Sequence, residues 1–250
     1  MKIAACIKRV PATETLPKVA ADGKGLDPTG VEFMLSFYDE LAVEEAIRAK
    51  EKHGGEVIVV TVGPAEASKE LRECLAKGAD RAVLVTDANW MRRDCRATAK
   101  ILAAKLKELG AELVFTGRVA TDRDNAAVGP MIATYLGWSC VTDVVAFELT
   151  AGRVSARRES ERGIERYECS LPAVVSCQKG LNEPRYAGLK GIMAAKKKPI
   201  EEAPAPEVES QSEVIALSLP PPRKEGRILG KGAEAIPALI QALRDEAQVL

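Results

Sequence analysis

Short β-rich apolar runs alternate with stretches of helical spacing along the first half of the chain. The clearest instance is Ala111–Trp138, AELVFTGRVATDRDNAAVGPMIATYLGW. Glu112–Thr116 is short and apolar, which predicts a buried parallel strand, and Gly117 breaks it. Thr121 and Asp124 have the spacing of a capping box, which predicts a helix from near Asp122. Met131, Ile132, Tyr135 and Leu136 would form its buried face. A loop that leaves a strand's carboxyl end and enters a helix's amino end presents free N–H groups to an anion. An ordinary α/β loop without a ligand has the same pattern.

The same reading orders the rest of the chain. Strands are predicted at Lys2–Ile7, Glu56–Val62 and Arg81–Val85, and helices over Glu40–Lys52, Glu66–Lys77 and Arg92–Leu109. Ser36 and Asp39 repeat the capping-box spacing before the first helix, and Val10–Gly30 reads as a long loop. Four β–α units in succession predict an α/β fold, a Rossmann-like parallel sheet with helices on both faces. Val141–Leu149, Arg153–Glu159 and Ile164–Leu171 then predict an antiparallel β ribbon, and Ala173–Cys177 a core strand. Gln178–Lys198 reads as a loop and short helix. The composition shifts at Pro199, where prolines and glutamates replace large apolar residues. Two parts are therefore expected: residues 1–198 as the α/β domain, and 199–250 as an extended C-terminal arm with a terminal helix over Ala233–Leu250.

Composition narrows the function more than the fold. Lys and Arg number 36 and Asp and Glu number 36, so no net field favours nucleic acid or an anionic membrane surface. No apolar run is long enough to span a bilayer. Met1–Ile7 already reads as a strand, so no leader is expected, and the compartment expected is the cytoplasm, or the mitochondrial matrix for a eukaryotic source. The six cysteines show no C-x-x-C spacing, which favours buried free thiols. His53 is the only histidine and sits beside Gly54-Gly55, a helix-end position. Ser-His-Asp, Cys-His and ordinary zinc chemistry are then nearly excluded. Asp122 and Asp124 could hold a metal, but capping explains them more simply, and no metal site is expected. Lys196–Lys198 reads as a solvated cluster. No catalytic constellation stands out.

Four segments carry a family likeness: CIKRVP (Cys6–Pro11), FYDELAVEEAIRAKE (Phe37–Glu51), GRVATDRDNAAVGPMIATYLGW (Gly117–Trp138) and LPAVVSCQKGLNEPRYAGLKGIMAAKKK (Leu171–Lys198). With them the chain resembles the β subunit of electron transfer flavoproteins. KGADRAVLV (Lys77–Val85) adds to the match. The resemblance implies an adenine-nucleotide-binding type of α/β domain and a heterodimer with an α subunit. It implies FAD shared with that subunit and AMP in the β domain. The protein would carry electrons without catalytic side chains of its own, from an acyl-CoA dehydrogenase of fatty acid β-oxidation to a quinone oxidoreductase or other acceptor.

Carried over residue by residue, the nucleotide site would take in Cys6, Ser36, Phe37, Tyr38, Asp39 and Val62. Its main cradle would be Gly117, Arg118, Val119, Ala120, Thr121, Asp122, Arg123, Asp124, Asn125, Ala126, Ala127 and Val128. Leu189, with Ile192 and Met193, would bind the partner dehydrogenase. The family often has Asn-Pro where this chain has Ser36-Phe37. Arg123 stands where electron-bifurcating relatives tend to have glycine, which favours AMP over a second FAD; AVGP leans the other way. A non-redox nucleotide sensor on a similar fold is another alternative, and it leaves the 181–198 segment and the arm unexplained. A nucleotide-activating enzyme of ATP-pyrophosphatase type would need an S-G-G-x-D-S-like loop after the first strand, which Cys6–Pro11 lacks.

Overall fold

A computed structural model describes residues 1–222 and 225–250. The chain folds in two units, residues 1–217 and 218–250.

In chain order the first unit contains β1 (Lys2–Ile7), β2 (Arg9–Pro11), β3 (Phe33–Leu35), α1 (Phe37–His53), β4 (Glu56–Gly63), α2 (Ser68–Lys77), β5 (Arg81–Thr86), α3 (Cys95–Leu109), β6 (Leu113–Gly117) and α4 (Val128–Leu136). It continues with β7 (Ser139–Thr150), β8 (Arg153–Ser160), β9 (Gly163–Ser170), β10 (Ala173–Cys177), α5 (Leu189–Ala195) and β11 (Ile200–Pro204). The main sheet has the order β11-β5-β4-β1-β6-β10-β7-β8-β9. From β11 to β7 every pairing is parallel, while β7, β8 and β9 form the antiparallel ribbon. β2 and β3 pair as a separate antiparallel sheet at the mouth of β1.

The central strands are buried on both faces because helices cover both. α1 and α2 pack with Ile3, Ala5, Val57, Val59 and Phe115 on one side. α3 and α4 pack with Ala4, Cys6, Ile58, Val60 and Val114 on the other. This is why these strands read as continuous apolar runs. From β1 the chain steps outward through β4 to β5, then crosses back to β6 on the far side of β1. The strand order therefore reverses between β1 and β6, and ligands of such sheets bind at the carboxyl ends of the strands beside that reversal.

Three local expectations change. α4 begins at Val128, not near Asp122, because Asp124 (φ 52°) and Ala126 (φ 51°) are left-handed and cannot continue a right-handed helix. α3 begins at Cys95, where Asp94 caps Ala97 N–H at 2.7 Å. Ser36 is the N-cap residue of α1, yet its hydroxyl makes no capping bond. Asp39 does not complete a capping box either, since its carboxylate is engaged elsewhere.

The boundary expected after Lys198 falls inside the first unit. Ile200–Pro204 adds β11 to the open edge of β5. Beyond it, Ala205 and Val208 pack on the α3 side of the core, and Leu217 N–H donates to Gly23 O at 2.7 Å. In the second unit, α6 (Ile236–Asp245) is amphipathic, but Ile236, Leu239 and Ile240 remain 51%, 46% and 41% exposed. Among the described residues no helix is long and apolar enough to cross a membrane.

Candidate functional site

The crevice at the β1–β6 reversal has an apolar floor. Cys6 pairs in register with Val60 of β4 and Thr116 of β6, so the three side chains share the α3–α4 face, with Val62 two residues further along β4. Burial, with some help from the Asp39 charge, pushes the Cys6 thiol up to about 12, so it stays protonated and acts as an apolar wall. The Thr116 hydroxyl is buried and has no hydrogen-bond partner among the described residues. Gly129, in the first turn of α4, lies directly over it: a Cβ there would come within 2.7 Å of Thr116 Oγ1.

Asp39 joins the two strands that flank the crevice. From the first turn of α1 its Oδ2 accepts Lys8 N–H at 2.7 Å, and its Oδ1 accepts Gly117 N–H at 3.1 Å. Burial raises its carboxyl to about 7, against the opposing pull of the two N–H donors and the Lys8 charge. Gly117 is required at this point, because a Cβ would meet Asp39 Oδ1 at 2.3 Å and the Tyr38 backbone at 2.8 Å. Lys8 Nζ pairs with Asp122 of the loop after β6, at 2.7 and 2.6 Å from its two oxygens. Ser36 is fully buried and its hydroxyl also has no partner among the described residues. Phe37 is exposed and stands edge-to-face with Tyr38, ring centres 5.3 Å apart.

The loop from Gly117 to Val128 closes the crevice on the α4 side. Thr121 to Ala126 are exposed. Among the described residues, the N–H groups of Ala126, Ala127, Val128 and Gly129 donate to no protein acceptor, and Pro130 has none to give. They form a row of free donors at a helix amino end. Arg123 ties the loop sideways, donating to Arg93 O at 3.0 Å and to Met91 O. Asn125 Nδ2 reaches Cys95 Sγ at 3.2 Å. Arg118 turns away to pair with Asp143 at 2.7 Å. Free donors at a helix amino end, with two unpartnered buried hydroxyls, suit a phosphate with an attached polar group.

Cys6, Val62, Asp39 and the 117–128 loop are thus brought to the carboxyl ends of the central strands. Lys8, Thr116 and Gly129 stand among them without having been singled out from sequence. Gly129 is the one with a signal, since it follows the cradle directly. Leu189, Ile192 and Met193 lie elsewhere, on α5, which packs against α2.

A model of the electron transfer flavoprotein domain matches residues 25–208 of this chain. The chain is similar to the electron transfer flavoprotein subunit beta of Bacillus subtilis (strain 168), at 37% identity over 95% of this chain and 96% of that one. It is 38% identical to the subunit beta of Bradyrhizobium diazoefficiens, and both chains are covered fully. The mitochondrial subunit beta of Oryza sativa subsp. indica is 37% identical, again over the whole of both chains.

Proposed function

The chain belongs to the electron transfer flavoprotein family, and from that premise we propose that it is the β subunit of a heterodimeric electron carrier, with AMP held in the crevice between β1 and β6. The observation that carries the AMP assignment is the row of free N–H groups from Ala126 to Gly129, set beside the unpartnered hydroxyl of Thr116. The row binds the phosphate, and Cys6 and Val62 offer an apolar wall to the base. Ser36 contributes its hydroxyl. Asp39 holds Gly117 N–H and so fixes the start of the cradle before the ligand arrives.

FAD, held with the α subunit, supplies the redox chemistry. This chain contributes position. The second unit, with its exposed helix face, docks on the α subunit. Leu189, Ile192 and Met193 on α5 meet the donor, a flavin dehydrogenase of the acyl-CoA type, and electrons pass on to a quinone oxidoreductase or other acceptor.

Nucleotide analysis of the purified heterodimer tests the reading. Acid release followed by chromatography is expected to give FAD and AMP in equal amounts. FAD at twice the amount of protein, without AMP, would replace the proposal with an electron-bifurcating one.

A further inference from the structure

Helix α1 buries two adjacent glutamates at its centre, Glu44 at 4% and Glu45 at 7% exposure. Buried carboxylates require charged or hydrogen-bonding partners. Both find them in the segment between β10 and α5. Arg185 Nε and Nη2 lie 2.9 and 3.1 Å from the two Glu44 oxygens, and its backbone N–H donates to Glu44 Oε2 at 3.2 Å. The same guanidinium reaches Glu51, with Nη1 at 2.6 Å and Nη2 at 3.0 Å. Asn182 Nδ2 donates to Glu45 Oε2 at 2.9 Å and Leu41 O at 3.0 Å. One planar fork therefore spans two carboxylates, a geometry that a lysine cannot copy.

The other end of the segment is equally fixed. Gly191 presses on α2 so closely that a Cβ would lie 2.3 Å from Ala76 O. Arg72 Nη1 donates to Ala195 O at 2.6 Å and Lys198 O at 2.5 Å. Between these fixings stand Tyr186, Leu189, Ile192 and Met193, at 97%, 78%, 42% and 56% exposure. A mobile loop would lose conformational freedom on docking, whereas a braced one loses it on folding.

We propose that Arg185, through its forks to Glu44 and Glu51, is a positioning residue that holds the apolar surface from Tyr186 to Met193 in its docking shape, for a protein partner with an apolar pocket. The proposal rests on the reading of Leu189 as the docking anchor.

The test uses the heterodimer, with an acyl-CoA dehydrogenase reduced by its substrate as electron donor. Arg185→Gln should raise the KM for the heterodimer about tenfold, the scale of a lost interface contact, with kcat changed by less than about twofold. Amide exchange over residues 181–189 should quicken while flavin content holds. Arg185→Lys should not restore the KM. Glu51→Gln, which opens only the exposed half of the brace, should give an intermediate KM, and it decides alone if Arg185→Gln fails to fold. Unchanged KM in the Arg185→Gln or Glu51→Gln heterodimer, with Leu189→Ala still raising it, overturns the positioning role and leaves the anchor standing. Unchanged KM in Leu189→Ala removes the docking reading itself, and the proposal with it.

Discussion

Asp39 Oδ1 accepts the backbone N–H of Gly117 at 3.1 Å, so the first turn of α1 holds the last residue of β6, where the loop to α4 departs. The other oxygen of the same carboxylate holds Lys8 N–H, at the end of β1. One side chain thereby ties together the carboxyl ends of β1 and β6, just beyond the last paired residues of their ladder, Cys6 and Thr116.

Gly117→Ala should break this contact. The added methyl meets a carboxylate oxygen and backbone that cannot move freely. A loss of about 1–3 kcal/mol of stability is expected, as for other overpacked sites. Chemical denaturation would measure it, and amide exchange should quicken first over residues 117–128. A fully stable variant with an undisturbed loop would show that the clamp tolerates a Cβ.

The Asp39 carboxyl also gives the fold a pH dependence of unusual sign. Burial raises it from 3.8 to about 7, so the native chain binds this proton more tightly than the unfolded chain does. Its contribution is fully present below about pH 4 and is lost as pH rises through about 7. Asp39→Asn should lower stability through the lost acceptor, and should flatten the pH dependence of the melting temperature over that window. Parallel curves for the two proteins would remove Asp39 from the titration.

Arg123 is exposed, and its guanidinium is spent on two carbonyls. Arg123→Ala should cost at most about 0.5 kcal/mol of stability, as surface changes usually do. It should still weaken AMP binding severalfold, because the cradle loses its tie to the segment before α3. Calorimetry with AMP separates the two effects, and tighter binding would mean that the arginine obstructs the site.

Much of the fold was legible from pattern alone. Lys2–Ile7 and Ala173–Cys177 have the bounds that their apolar runs predict, because strands buried on both faces read as near-continuous apolar runs. The start of α4 was not legible. Asp124 and Ala126 take left-handed backbone through their place in the loop, and neither residue announces it. Asp39 reads locally as an acid suited to a helix amino end, yet both its partners are distant in sequence. β11, IEEAP, has little apolar character, since an edge strand is held chiefly by backbone bonds to β5. The 117–128 loop was legible from pattern as a strand-to-helix turn with free N–H groups, and the likeness favoured a ligand there over an ordinary α/β loop. Lys8 and Thr116 stand out only with the strands side by side.

Leu189→Ala should leave the melting temperature of the heterodimer unchanged, because the side chain is 78% exposed. Docking of the donor dehydrogenase should weaken by about 2 kcal/mol if the leucine is fully buried in the complex. Surface plasmon resonance with the dehydrogenase reads this directly. A drop in stability with intact docking would return Leu189 to the core.

Truncation after Leu217 should leave the first unit folded, because β11 and the segment through Leu217 stay in place. Association with the α subunit should weaken, since the exposed face of α6 is gone. Circular dichroism and titration with the α subunit test the two halves of this expectation. An unaltered affinity would show that residues 218–250 take no part in the dimer.

The parallel pairing of β5 with β11 also sets an order of events on the ribosome. β5 is complete at Thr86, but its neighbour is not synthesised until Pro204. Throughout that interval the nascent sheet has an open row of backbone donors and acceptors along a strand of Ala, Val and Leu, the kind of edge to which other chains add. Slowing translation between Thr86 and Pro204 should therefore raise the share of chains that aggregate or bind chaperones.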